Sequence, residues 1–109
     1  IDTAVAGLAP GRERLLTGAR VYLDACAHQR GIRALLLEAR AEPAVAAEIT
    51  RRNEDFARTC TADFQTLQRR HPLDSAQLWV AMCAEAALIE LASSARARSV
   101  RAALAEFLR

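Results

Sequence analysis

The chain has 109 residues, of which 52% are apolar and 26% charged, and its net charge is +2. This length supports one domain with one modest core, and the composition excludes a disordered or fibrous protein. The net charge is too small to indicate nucleic-acid binding by itself.

The first predicted elements are a short apolar segment and a helix. Residues Ile1–Ala9 end at Pro10-Gly11 and are typical of a linker or the tail of an earlier helix. From Arg12 to Arg30, apolar residues recur at helical spacing. Gly31 follows directly, and a glycine in that position commonly ends a helix.

A short helix and a long helix follow, separated by a proline. Ile32–Arg40 is predicted as the short one, and Pro43 fits the first turn of the next, where its missing N–H is harmless. The long helix should run to about Arg70. Asn53 is the polar member of its apolar line, which comprises Val45, Ile49, Phe56, Cys60, Phe64 and Leu67. We assign its outer surface to Arg51, Arg52, Glu54, Asp55, Arg58 and Asp63.

Two further helices complete the chain. The first should begin at Asp74, which can form a capping box with Gln77, and run to about Ser93. Leu73 and Leu78 could form the hydrophobic staple around that start. The last helix is predicted from about Ala97 to Leu108. The sequence therefore predicts an all-α fold of about five helices in one domain.

The segment Leu78–Ala84 is apolar on every side of its helix. Such a helix must be covered all round, and a small five-helix domain has little surface with which to do so. We therefore predict a two-fold dimer through the last two helices. The predicted interface residues are Ala81, Met82, Glu85, Leu88, Ile89, Val100, Leu104 and Phe107. The alternative is a central helix wrapped by the other four.

The order of these elements resembles the C-terminal regulatory domain of TetR-family transcription regulators. The resemblance rests on RALLLEARAEPAVAAEITRRN, which is similar to actinobacterial members, and on HPLDSAQLWVAMCAEAALIELA. It covers Pro10–Arg109 and implies an effector-binding and dimerisation domain. The N-terminal helix-turn-helix of the family is not among these residues, so Ile1–Ala9 would be the remnant of the connecting helix.

The resemblance also implies a ligand pocket enclosed by the helices before the dimer pair. A pocket of this kind is mostly apolar with a few placed polar groups. The candidates are Tyr22, Cys26, Asn53, Phe56, Cys60, Trp79 and Cys83. For Phe56 an ordinary core position is the stronger interpretation, and Asn53 fits a pocket and a half-exposed position equally well.

Glu85 is a carboxylate in the middle of the most apolar helix. It could contact a ligand, pair with an arginine across the dimer, or point to solvent at the rim, and the last is the favoured interpretation. Arg96, Arg98, Arg101 and Arg109 make the last helix basic, and a solvated face explains them better than nucleic-acid contact.

The three cysteines lack CxxC spacing and lie on apolar stripes, which indicates buried, reduced thiols more than redox sensors. No leader is recognisable, and the apolar run Leu78–Ala84 is shorter than the roughly 18 residues of a membrane span. We therefore expect a cytoplasmic protein. His28 and His71 lie at helix ends and belong to no catalytic or metal-binding motif, so we expect neither an enzyme nor a metal or other cofactor.

The sequence therefore predicts the effector-sensing domain of a TetR-like regulator, with repression as the expected activity. Its expected partners are a second copy, a small-molecule effector, and operator DNA reached only through the absent N-terminal domain. A stand-alone helical protein-interaction domain is the alternative.

Overall fold

The computed structural model describes residues 5–28, 38 and 41–109. Within these residues the chain forms four α-helices and no strand, so the predicted all-α class is confirmed. The helices are α1 (Arg12–His28), α2 (Pro43–Thr66), α3 (Pro72–Ala92) and α4 (Ala97–Glu106). A 3-10 helix, Ser94–Arg96, precedes α4. The short helix predicted over Ile32–Arg40 lies outside the described residues, except for Glu38.

The long helix α2 begins as predicted and ends earlier than predicted. Pro43 occupies its first turn. The helix stops at Thr66 because Gln68 adopts a left-handed backbone with φ of 58°. The Gln68 N–H then donates to the Gln65 carbonyl at 3.0 Å, and the Arg69 N–H donates to the Phe64 carbonyl at 3.1 Å. This pair of bonds is a Schellman motif, and it satisfies carbonyls at the helix end.

The start of α3 differs from the prediction. The helix begins at Pro72, and Asp74 lies inside its first turn. The predicted capping box at Asp74 is therefore wrong, because a residue within the helix cannot occupy the cap position. Proline at the first helical position explains the start, since its φ is already helical and it lacks an N–H that would need a partner. Asp74 still complements the positive end of the helix dipole.

Helix α3 is the centre of the bundle and packs against α1, α2 and α4. Trp79, at 1% exposure, is the largest fully buried side chain. Small residues of α3, including Ala76 and Ala87, are buried as well. The opposite side of α3 is open, since Leu78 remains 65% exposed. The described chain thus covers one side of α3 and leaves the other uncovered.

By length and composition, α3 could also cross a membrane. An 18-residue window within Pro72–Ala92 has a mean hydropathy of 1.3, and 39% of that window is buried inside the fold. The sequence-based expectation considered only the uninterrupted apolar run Leu78–Ala84. Glu85 ends that run, but it lowers the mean hydropathy of the longer window too little to exclude a membrane span. The core helix of a water-soluble bundle has the same length and composition.

Asp63 is buried, although the sequence analysis placed it on the outer surface of α2. Its side chain is 2% exposed and accepts two hydrogen bonds from Arg14, at 2.8 and 3.0 Å. The Gly11 N–H donates to the same carboxylate at 2.8 Å. The earlier placement is wrong because Asp63 follows Cys60 by three residues, which puts both side chains on the face of α2 that meets α1.

Candidate functional site

A cavity of about 260 Å³ lies where α1, α2 and α3 meet. Each helix presents residues spaced by three positions, so that both members of a pair face the same space. The lining residues are Ala19, Tyr22, Arg52, Asn53, Phe56, Val80 and Cys83. We call this space the cavity.

The cavity brings together four of the residues that the sequence analysis proposed for a ligand pocket. They are Tyr22, Asn53, Phe56 and Cys83. Asn53 and Phe56 are partly buried, so both retain surface that faces the cavity. This agrees with the spacing argument for a shared face on α2. Whether the cavity binds a ligand stays a prediction.

The other three proposed pocket residues lie elsewhere in the interior. Trp79 belongs to the core and does not line the cavity. Cys60 is beside the Arg14–Asp63 pair, and Cys26 lines a separate space between α1 and the last two helices. Three lining residues were not among the predicted pocket residues: Ala19, Arg52 and Val80. Ala19 lies one turn before Tyr22, Arg52 is next to Asn53, and Val80 lies one turn before Cys83. These spacings could have identified all three residues.

The thiols of the core are protonated at neutral pH. Burial raises the pKa of Cys83 to about 12 and that of Cys60 to about 12. Burial also raises the pKa of Cys26 and of the Tyr22 phenol. A reactive thiol needs an exposed sulfur with a lowered pKa. These cysteines therefore act as small apolar groups, and Cys83 contributes a neutral wall to the cavity.

A second feature is an open apolar groove of about 360 Å³ along α3 and α4. We call it the groove. Its lining residues are Met82, Glu85, Ala86, Ile89, Arg96, Ser99, Val100, Ala103, Leu104 and Phe107. Val100 and Leu104 form its buried floor, and Phe107 stands at its edge, 62% exposed.

The groove contains six of the eight residues predicted for a dimer interface. Ala81 and Leu88 lie outside it. Glu85 is exposed, as in the rim interpretation, and shares the groove with Arg96. Neither of these two charges forms a salt bridge within the described part of the chain.

An ion-pair cluster on the far side of α3 joins three helices. Arg101 on α4 donates Nε and Nη2 to Glu90 on α3, at 3.0 and 2.9 Å. Its Nη1 donates to Asp24 on α1 at 2.6 Å. The Glu90 side chain is only 7% exposed, whereas Arg101 is 30% exposed, so a buried carboxylate meets a guanidinium at the edge of the bundle. Arg101 was expected on a solvated basic face, and this prediction is wrong because its guanidinium is hydrogen-bonded to Glu90 and Asp24.

The described residues contain no group of three His, Cys, Asp or Glu side chains that could hold a metal ion.

Comparison of the chain with protein-family models, with curated proteins and with solved structures gives no significant match.

Proposed function

We propose that this chain is the effector-sensing and dimerisation domain of a TetR-like transcription regulator of the cytoplasm. In this proposal a small molecule occupies the cavity, and two copies pair through the groove. DNA is bound by a helix-turn-helix domain preceding these residues, and the regulator acts as a repressor. The sequence resemblance supplies the class of protein, and the arrangement around α3 supports it.

The observation that carries the proposal is that α3 borders both features. Val80 and Cys83 face the cavity, whereas Met82 and Ile89 face the groove. These residues lie within three turns of one helix, and side chains in a close-packed interior do not move independently of it. A ligand that shifts α3 would therefore shift the proposed dimer face.

This arrangement gives the proposed mechanism. A ligand with different affinities for two packings of α1, α2 and α3 changes their populations. Each packing presents α3 and α4 to the partner copy at a different angle. The change would alter the separation of two DNA-reading domains, and the coupling between effector and DNA would be reciprocal.

Sedimentation equilibrium of the chain tests the dimer. We expect a dimer at micromolar concentration, and we expect Phe107→Ser to weaken it because Phe107 is an exposed apolar residue at the edge of the groove. Leu73→Ser is the matched control, since Leu73 is also exposed and lies outside the groove. A wild-type monomer at this concentration overturns the dimer.

A stand-alone helical interaction domain is the second candidate, and the exposure of Leu78 favours it. Leu78 lies on α3 outside the groove, so the proposed dimer does not explain its exposure. The coding sequence before Ile1 discriminates between the two functions. Three helices with a DNA-reading turn support the regulator, and a start codon close to Ile1 supports the stand-alone domain.

A further inference from the structure

The described polar groups that line the cavity include hydrogen-bond donors and a cation but no carboxylate group. Asn53 offers an amide N–H₂ and Arg52 a guanidinium, whereas none of the described carboxylates lines the cavity. Cys83, another ionisable lining residue, is a neutral thiol. A cation entering this space would meet the Arg52 guanidinium, whereas Glu48, the carboxylate that pairs with Arg52, does not line the cavity. The lining therefore favours an anionic or neutral ligand.

Arg52 has hydrogen-bond donors that no described residue accepts from. Its Nε donates to Glu48 at 3.1 Å, and its two Nη groups have no acceptor within the described residues. Glu48 is also shared with Arg51, which donates two hydrogen bonds to it, at 3.1 and 2.6 Å. Arg51 also pairs with Asp55 at 3.6 Å, and Asp55 pairs with Arg58. Two carboxylates thus serve three guanidinium groups, so one positive charge remains in this network beside the cavity. The Arg52 side chain is 71% exposed and can turn toward an incoming ligand.

The size and walls of the cavity limit the rest of the ligand. A volume of about 260 Å³ exceeds the roughly 150 Å³ that accommodates benzene in an engineered cavity. It is slightly smaller than the roughly 300 Å³ at which pockets for drug-sized molecules begin. Phe56, Val80 and Ala19 provide apolar walls. The ligand is therefore small, with a tail that is aliphatic or contains a single ring.

We propose that the cavity binds a small carboxylate with an apolar tail, whose carboxylate is held by Arg52 at the cavity edge and whose tail lies against Phe56 and Val80. Guanidinium and carboxylate groups match each other in geometry as well as charge. This inference rests on the proposed ligand-binding role and specifies the class of ligand.

Calorimetric titration with three probes that share one tail tests the charge preference. The probes are octanoate, 1-octanol and octylamine. We expect octanoate to bind more tightly than 1-octanol, and octylamine most weakly. Arg52→Gln should weaken octanoate binding about fivefold and leave 1-octanol unchanged, because only the charged headgroup contacts Arg52.

Arg98→Gln is the matched control, since it removes the same charge at an exposed position of α4 that does not line the cavity and has no part in the Glu48 pairing. It should leave the binding of all three probes unchanged. Asn53→Phe locates the site, because a ring at this half-exposed position fills the cavity and should abolish binding of octanoate and 1-octanol. Circular dichroism of each variant verifies that it is folded.

The outcomes distinguish failure of the carboxylate inference from failure of the proposed ligand-binding role of the cavity. Equal affinity for octanoate and 1-octanol, or tighter binding of octylamine, overturns the carboxylate inference and leaves a ligand-binding cavity in place. Binding that Asn53→Phe does not affect occurs elsewhere and also overturns it. If no probe binds, both the inference and the proposed effector role of the cavity fail.

Discussion

Carboxylates in the interior of this bundle and carboxylates on its surface form different kinds of ion pair. Asp63 and Glu90 are buried, and each accepts two hydrogen bonds from an arginine on another helix. Glu48 and Asp55 are exposed and pair with arginines one turn away along α2 itself.

The difference shows what each pair can do for the fold. The interior pairs join α1 to α2 and α3 to α4, so they constrain how the helices are placed. The surface pairs lie within one helix and add only a few tenths of a kcal/mol to it. A buried pair need not add much net stability, because removing its charges from water is costly, but losing one partner is strongly destabilising.

Breaking the Asp63 pair should have the largest effect. Asp63→Asn leaves the Arg14 guanidinium without its counter-charge and places amide hydrogens against its donors. We expect a loss of about 3 kcal/mol in the free energy of unfolding, measured by urea denaturation. Asp55→Asn is the matched control on the same helix, and its change should stay within about 0.5 kcal/mol. Equal losses in the two variants would contradict the comparison.

Breaking the Arg101 pair should have the next largest effect. Arg101→Gln leaves the buried Glu90 without its two charged donors, and we expect a loss of about 2 kcal/mol in the free energy of unfolding. Arg98→Gln, at an exposed position of α4, should be nearly neutral. The comparison is contradicted if both variants unfold at the same urea concentration.

The buried thiols of Cys60 and Cys83 extend the comparison between interior and surface ionisable groups, because they are acids that folding keeps uncharged. A group whose pKa is raised in the folded state contributes stability that is complete below its unfolded pKa and is lost as the pH rises toward its folded pKa. For Cys60 and Cys83 this window runs from about 9 to about 12. Each thiol should therefore cost about 1 kcal/mol of unfolding free energy between pH 9 and pH 10.

Replacing one thiol isolates this contribution. Cys83→Ala should reduce the alkaline loss by about 1 kcal/mol over the same pH unit, whatever the variant's stability at pH 7. Urea denaturation at each pH measures it, with reductant present. An unchanged slope would mean that Cys83 does not hold its proton more tightly in the folded state.

The smallest predicted effect concerns the backbone at the end of α2. Gln68→Gly should raise the free energy of unfolding by about 0.5–1 kcal/mol, because glycine adopts the left-handed conformation without the side-chain penalty. Gln65→Gly, in the last turn of the helix, should instead lower it by up to about 1 kcal/mol. If both substitutions destabilise, φ at Gln68 is not the strained feature.

Periodicity and proline positions predicted much of the helical framework. The start of α1 at Arg12 and that of α2 at Pro43 follow from local chemistry, and the structure agrees with them. The start of α3 was assigned to Asp74 because a capping-box pattern was weighted above proline at the first helical position. The end of α2 was placed too late because glutamine gives little sign of a left-handed conformation.

The candidate site was predictable in part. Spacing along each helix identified four residues of the cavity and six of the groove, because residues three or four apart share a face. It did not identify which faces meet. Trp79 therefore could not be assigned to the core or to the pocket from its own sequence neighbourhood, and Arg52 was taken for an ordinary surface charge.

The sequence by itself determined the helical class, most helix boundaries and the presence of an unusually apolar α3. These depend on interactions between near neighbours, which backbone geometry and side-chain spacing fix. Only the tertiary structure decided that Asp63 and Glu90 are buried, and that the cavity and the groove lie against the same helix. A charged residue on an apolar stripe is tolerated only where a partner from a distant part of the chain arrives, and local sequence carries no record of that partner.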